Sequence, residues 1–233
     1  MENDDFAGIP NPNSGLVELE MLLEIVNNSP ASSLEVFFSY FPYGMQDKIF
    51  QEGETKAAEN LIKKLAEYYK AKKIYAIDAH FHGQDWINKY PFTNISAVDL
   101  LKKAAQKDYP DIVFMTPDTG GRRRTGLDGT KKKRLHSYHI EINHDETFEN
   151  MVKGKTIGVV DDILETGGTL ERFYDHCQEC GAKNTLALIT HGVLPAGMQK
   201  IRSKYTKLYL TNTIDRNEAN VDVTDKIVAN LHE

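Results

Sequence analysis

The sequence predicts an α/β protein with parallel sheets and helices on both faces, and two observations lead to that prediction. Short runs rich in β-branched and aromatic residues alternate with longer segments whose apolar residues recur every three or four positions. This alternation is typical of strand–helix–strand units with parallel strands. Polar residues also cluster directly after three of the short runs, and open α/β sheets bind ligands at the carboxyl ends of their strands. The 233 residues are enough for one large domain or two small ones.

The elements follow one another in a regular order after residues 1–14, which are rich in Asn, Pro and Asp and indicate a loose arm. Apolar spacing predicts a helix over 16–28, and the helix predicted over 54–70 has an apolar stripe through Ala57, Leu61, Leu65 and Tyr68. Further helices are predicted over 96–107 and 169–181, followed by a short helix and a closing helical stretch. Strands are predicted at 33–41, 73–77, 111–115, 135–142, 156–160, 184–190 and 207–211.

Composition excludes several classes of protein. A hydrophobic content of 40% and a charged content of 27% are ordinary for a soluble globular protein. The net charge of -6 argues against broad nucleic-acid binding. The acidic start does not resemble a signal peptide, and no apolar run approaches the roughly 20 residues of a membrane span. Two cysteines, Cys177 and Cys180, are too few for a zinc site and are expected to be reduced, so we expect a cytoplasmic protein without membrane or nucleic-acid partners.

The stretch from Thr156 to Leu170 concentrates the polar chemistry. A buried strand over 156–160 is followed by Asp161 and Asp162, then by a glycine turn with threonines on either side and the start of a helix. Glycines let backbone N–H groups converge on an anion, and a helix start adds positive potential. The acids suit sugar hydroxyls or the Mg²⁺ that accompanies a diphosphate. The alternative is a helix after a turn with two solvated acids. An ATP P-loop at Gly154 is excluded because Glu149 replaces the required glycine and a strand follows.

This order of strand, two acids and Thr-Gly-Gly-Thr resembles the phosphoribosyl-diphosphate loop of type I phosphoribosyltransferase folds. The resemblance implies that the loop residues hold the 5-phosphate of a ribose, with Asp161 and Asp162 near the ribose hydroxyls. Four more stretches, FPYGMQDKIFQEGETKAAENL, IDAHFHGQDWINKYPFTNISAVDLL, FMTPDTGG and LITHGVLPAGMQKI, resemble the ribose-phosphate diphosphokinases (PRPP synthetases) in the right order from about Leu16. The loop residues implicated in this way are Glu165, Thr166, Gly167, Gly168 and Thr169.

The family resemblance assigns further roles. In TKKKRLHSYHIEI it implies that Lys132 and Arg134 are catalytic, with Lys131 and Lys133 one register step away. It implies contacts to ATP by Gln46, Asp47 and His80, and a Mg²⁺ site at His80 and Asp118. His82 has no counterpart and is expected at the surface.

Two departures from the family also appear. Met45 stands where the family has an arginine that contacts the nucleotide. Nothing in residues 1–14 resembles the strand-rich stretch that helps to form the adenine pocket of a neighbouring subunit. We therefore expect a complete second half, over 92–233, and a shortened first half, over 1–91.

The expected activity is transfer of diphosphate from ATP to the 1-hydroxyl of ribose 5-phosphate, which gives PRPP and AMP, in a homo-oligomer. One alternative is a non-catalytic paralogue that associates with a full-length synthetase and regulates it. Another is a phosphoribosyltransferase that consumes PRPP, which would need a nucleobase-binding hood that no spare segment resembles.

Overall fold

The structure is a computed structural model that describes residues 12–117 and 146–231, with the side chains of 146 and 147 left out. The predicted strand over 135–142 and the predicted site residues Asp118, Lys132 and Arg134 lie outside these ranges. The described helices are α1 Pro12–Asn27, α2 Ala57–Lys63, α3 Val98–Asp108, α4 Glu146–Val152, α5 Gly168–Glu179, α6 Pro195–Lys204 and α7 Thr224–Leu231. The strands are β1 Glu35–Phe38, β2 Lys73–Ile77, β3 Phe92–Ile95, β4 Val113–Met115, β5 Thr156–Leu164, β6 Asn184–Gly192 and β7 Lys207–Leu210.

The chain divides into two compact units. The first contains the chain up to Ala97, residues 213–215 and the chain from Val223 onward, and the second contains the rest. The boundary predicted between residues 91 and 92 falls too early, because β3 pairs with β2 of the first sheet. Sequence reasoning missed β3, whose four residues are too few to show a period. In the parts of the chain that the structure describes, no helix has the length and apolar character needed to cross a bilayer.

The first unit contains a parallel three-stranded sheet in the order β1-β2-β3. The helix α2 packs on it and continues through a π-helical turn, Lys64–Tyr68. Its buried stripe is Ala58, Ile62, Leu65 and Tyr69. The predicted stripe was therefore wrong by one position at every residue except Leu65, and Tyr68 is 65% exposed. Apolar residues occupy both adjacent stripes of this helix, so spacing alone does not distinguish them.

The second unit contains a parallel four-stranded sheet in the order β4-β5-β6-β7, and the glycine loop follows the central strand β5. Helices cover both faces, as predicted. Ile157 and Val159 belong to a cluster with Leu170 of α5 and Ile201 of α6. Val160 belongs to a second cluster with α3 on the other face. Two apolar clusters on opposite faces of the sheet fix β5 in the middle of this unit.

Candidate active site

The two adjacent acids lie inside β5 and not after it. The strand was predicted to end at Val160, but it continues to Leu164, and Asp161 pairs in register with Ile189 of β6. Both carboxylates are buried, with 8% of Asp161 and 4% of Asp162 exposed. The backbone N–H of Asp162 donates a hydrogen bond to Asp161 Oδ1 at 3.1 Å. Because burying a carboxylate is costly unless it has partners, two such residues near a strand end indicate a site and not a solvated turn.

Side chains alternate along a strand, so the two carboxylates leave β5 on opposite faces. Asp161 shares the face of Val159, where α5 and α6 pack, and Asp162 shares the face of Val160. The pKa of Tyr205, a residue of the α6 face, is raised chiefly by burial, and the negative charge of Asp161 adds to the increase, which agrees with this assignment. The two buried carboxylates therefore lie on opposite faces of β5, two and three residues before its end at Leu164.

The loop after β5 leads directly into α5, which begins at Gly168, one residue earlier than predicted. Gly167 is the N-cap residue and has φ +74°, the left-handed region that glycine adopts without strain. No side chain caps the start of the helix. The first N–H groups of a helix have no acceptor within it, so those of α5 are available to an anion. Thr166 is exposed and Thr169 is half-buried beside them.

Charged side chains of α5 and α6 surround this helix start. Glu171 would repel an anion, but it is paired with Lys204 at 2.9 Å and with Lys200 at 3.1 Å. The hydrogen bond from Lys204, followed by that from Lys200, lowers the pKa of the Glu171 carboxyl below its usual range. Arg172 is exposed, and its Nη1 lies 3.8 Å from the position that a β-carbon on Gly168 would take. Sequence reasoning missed Arg172, although its spacing of four residues from Gly168 places it on the same helix face.

In the first unit, the predicted ATP-side residues lie on two neighbouring loops. Asp47 is buried, its Oδ2 accepts a hydrogen bond from Gln84 Nε2 at 2.5 Å, and its backbone carbonyl accepts one from Trp86 Nε1 at 3.3 Å. Gln46 is exposed one residue earlier. A β-carbon on Gly44 would lie 3.8 Å from His80 Cβ, so the two loops are in contact. The structure thus brings Gln46, Asp47 and His80 to one region of the first unit.

His80 lies on the turn that follows β2 and is half-buried. The turn is anchored by Asp78, whose φ of +35° is unusual for a residue other than glycine. Its Oδ2 accepts a hydrogen bond from the Ala97 N–H at 3.0 Å, and the next N–H, of Ala79, donates to Asn94 Oδ1 at 2.8 Å. These bonds join the carboxyl ends of β2 and β3, so Asp78 has a structural role and fixes the position of His80.

Among the described residues, no three His, Cys, Asp or Glu side chains converge on a point where a metal ion could bind. Mg²⁺ usually binds through one or two carboxylates together with substrate phosphates and water. The buried acids of β5 are donors of the right chemistry for a cation that arrives with a diphosphate. The two cysteines are buried and free, as expected, and burial raises the pKa of the Cys177 thiol to about 12. A thiol of this kind is unreactive near neutral pH.

Comparison with known proteins identifies the relatives of this arrangement. The model of the phosphoribosyl transferase domain matches residues 122–227, a range that includes both acids and the glycine loop. The ribose-phosphate pyrophosphokinase of Thermococcus kodakarensis is 25% identical over 225 residues, which are 91% of this chain and 78% of the relative. Ribose-phosphate pyrophosphokinase 2 of Archaeoglobus fulgidus is 27% identical, over 97% of this chain and 82% of the relative. Over about nine-tenths of its length the chain is therefore similar to ribose-phosphate pyrophosphokinases.

A solved structure shares the fold of this chain. The phosphoribosylpyrophosphate synthetase from Mycobacterium smegmatis superposes with a TM-score of 0.76 at 23% identity, over 96% of this chain and 78% of the other. The predicted phosphoribosyltransferase-like α/β fold is therefore confirmed. At this identity the likeness shows the fold alone, so the chemistry of the ribose-phosphate pyrophosphokinase relatives is a proposal for this chain.

Proposed function

We propose that the protein is a ribose-phosphate diphosphokinase that transfers diphosphate from ATP to ribose 5-phosphate. One observation carries the proposal: the loop Glu165–Thr169 leads from a strand with two buried acids into a helix start that no side chain caps. Such a start binds a phosphate through backbone N–H groups. The relatives that match about nine-tenths of the chain are ribose-phosphate pyrophosphokinases.

In this proposal the loop binds the 5-phosphate, and Asp161 and Asp162 accept hydrogen bonds from the ribose hydroxyls. Thr166 and Thr169 add hydroxyl donors to the N–H groups of Gly168 and the residues after it. A phosphate fixed at one end and two hydroxyls fixed at the other orient the sugar ring. Orientation of this kind is a large part of catalysis when two bound substrates must react.

The 1-hydroxyl oxygen of the sugar attacks the β-phosphorus of ATP. The bond between that phosphorus and the oxygen bridging it to the α-phosphorus breaks, so that AMP leaves and the hydroxyl proton is released. In the proposal Lys132 and Arg134 neutralise charge that builds up on the transferred group. Gln46, Asp47 and His80 act on the ATP side. In the proposal His80 and Asp118 would hold Mg²⁺, and the ion would lower the repulsion between the phosphate groups.

One observation favours a second candidate, a regulatory paralogue that binds a catalytically active synthetase and forms homo- or hetero-oligomers. Met45 is 41% exposed at the position where the family resemblance leads us to expect an arginine. A thioether cannot pair with a nucleotide phosphate or stack as a cation on its base. A weak ATP site would leave a sugar-phosphate-binding protein without turnover.

The decisive experiment incubates the purified chain with ATP, Mg²⁺ and ribose 5-phosphate and measures AMP and PRPP by chromatography. We expect the two products in equal amounts and no AMP when the sugar phosphate is omitted. Absence of product from the chain alone, together with a changed rate when it is added to a relative of known activity, would favour the regulatory candidate. AMP formation that does not depend on ribose 5-phosphate would contradict both.

A further inference from the structure

The helix α6 packs against the glycine loop with no gap between the two backbones. Gly197 is buried in α6, and a β-carbon on it would overlap the backbone carbonyl of Glu165 and lie 3.3 Å from the carbonyl carbon of Thr166. Overlap with a flexible side-chain tip can be relieved by rotation, but overlap with backbone requires a helix or a loop to move. Any residue larger than glycine at this position therefore displaces either α6 or the loop.

Two further contacts join α6 and its C-cap residue to the same loop and helix start. A β-carbon on Gly167 would be 3.4 Å from Ile201 Cδ1, so the left-handed residue of the loop rests on an α6 side chain. The buried hydroxyl of Tyr205, at the C-cap of α6, donates a hydrogen bond to the carbonyl of Leu170 at 2.7 Å. Together with Gly197, these residues contact the chain before the left-handed turn, at it and at the start of α5, so α6 constrains the position of the turn.

We propose that Gly197 is a positioning residue for the anion site, because it sets the separation between α6 and the loop and so the direction of the loop N–H groups. The inference rests on the proposed function in one respect, namely that the loop Glu165–Thr169 binds the sugar phosphate. Hydrogen bonds to a phosphate weaken steeply with misalignment, and small displacements of positioned groups cost large factors. Gly197 itself does not contact the substrate.

The test compares Gly197→Ala with a control substitution, Gly158→Ala. Gly158 lies in β5, the strand that leads into the same loop. A β-carbon on Gly158 would lie 2.6 Å from Ile112 Cδ1 and 3.0 Å from Phe114 Cδ1. Gly158→Ala therefore also adds a methyl group in tight contact, but the contact is with side-chain tips and lies seven residues before the first loop residue, Glu165. Both variants are titrated with inorganic phosphate and with ribose 5-phosphate by calorimetry, and the amide resonances of the loop are followed by NMR.

We expect Gly197→Ala to weaken binding of ribose 5-phosphate by about tenfold or more and to shift the amide resonances of Gly167 and Gly168 before any ligand is added. Gly158→Ala should lower the melting temperature and leave the affinity within about twofold of the unsubstituted protein. Should Gly197→Ala fail to fold, Ile201→Val, which shortens the side chain under Gly167, should still reduce the affinity more than Gly158→Ala does.

Two outcomes would overturn the inference: unchanged affinity in Gly197→Ala, or equal losses in Gly197→Ala and Gly158→Ala. The second would mean that the substitutions only loosen the unit as a whole. If the unsubstituted chain binds ribose 5-phosphate but forms no AMP, the proposed function fails and the positioning role stands on the binding data. If it binds neither phosphate nor the sugar phosphate, both are overturned.

Discussion

Removing one buried hydroxyl, in Tyr205→Phe, should loosen the start of α5 by a predictable amount. Tyr205 is 4% exposed, and its hydroxyl donates to the Leu170 carbonyl at 2.7 Å. The ring volume is unchanged in phenylalanine, so the packing against Tyr174, at 5.1 Å between ring centroids, is kept. The substitution therefore removes a single hydrogen bond between the end of α6 and the helix that begins at the glycine loop.

The expected loss at neutral pH is about 1 kcal/mol of unfolding free energy, the typical net value of an intramolecular hydrogen bond. The loss stays near this value because Leu170 lies in α5, so its carbonyl still accepts a backbone hydrogen bond within the helix. For a chain of this size about 1 kcal/mol corresponds to a decrease of roughly 2–4 °C in melting temperature.

The stability difference between the two proteins should also depend on pH in the alkaline range. Burial raises the pKa of Tyr205 above its ordinary value of 10.0. Because the pKa is higher in the folded state, the stability that protonated Tyr205 contributes is complete below about pH 10. It is lost as the pH rises further, because the unfolded chain then releases the proton and the folded chain does not. The loss reaches about 1.4 kcal/mol per pH unit for one proton. Phenylalanine does not titrate, so the stability difference between the two proteins should shrink above about pH 10.

The assay is urea unfolding followed by circular dichroism, at neutral pH and above the ordinary tyrosine pKa. Tyr174→Phe is the matched control, because Tyr174 is half-buried on the same interface, and it should stay within about 0.5 kcal/mol of the unsubstituted protein. Equal stability of Tyr205→Phe and Tyr174→Phe at neutral pH would refute the reasoning. A difference that does not shrink at alkaline pH would refute the part that concerns ionisation.

Three further predictions concern the basic segment, the nucleotide and an ion pair. Lys132→Ala and Arg134→Ala should each lower kcat by orders of magnitude with little change in KM, because cations that act on the transition state scarcely affect ground-state binding. Unchanged kcat and KM in steady-state kinetics would contradict a catalytic role for these two residues. Met45 stands where the family resemblance leads us to expect an arginine, so the affinities for Mg·ATP and Mg·GTP should differ by no more than about tenfold, or about 1.4 kcal/mol. A competition titration measures this difference, and strong rejection of GTP would contradict the prediction. Hydrogen bonds from Lys207 and, to a smaller extent, from Tyr209 lower the pKa of the Asp108 carboxyl below its usual 3.8. Asp108→Asn should therefore lower the stability above about pH 4 and matter less as the pH falls below that value. Thermal unfolding curves of the two proteins that differ equally at every pH would contradict this prediction.

The sequence predicted the strand β5, the glycine loop and α5 well, because three local signals agree there. A continuous apolar run gives the strand, two glycines give the turn, and apolar spacing gives the helix. The end of the strand was misjudged because acidic residues normally stop a buried strand, and Asp161 and Asp162 are tolerated only with partners or a ligand nearby. The Thr-Gly-Gly-Thr motif therefore predicted the glycine loop and the helix that follows it, while the burial of the two acids is tertiary information.

Tertiary packing also explains what sequence reasoning missed. Gly197 carries no local signal, since a glycine inside a predicted helix only lowers its helical propensity, and its contact with Glu165 joins segments some thirty positions apart. The choice between Tyr68 and Tyr69 as the buried aromatic is made by the sheet below, since both continue an apolar stripe. The roles assigned to Asp118, Lys132 and Arg134 lie outside the described residues and stay predictions.

The central claim is that ribose 5-phosphate binds to the loop Glu165–Thr169. It is tested most directly by calorimetric titration of two proteins, the unsubstituted chain and a double variant that combines Asp162→Asn and Thr169→Val. The account predicts one site per chain in the unsubstituted protein and no measurable binding in the double variant, with circular dichroism showing the same fold in both. A control with an acid and a threonine replaced elsewhere, Asp99→Asn with Thr93→Val, both exposed, should bind as the unsubstituted protein does. Equal affinity in all three proteins would contradict the claim.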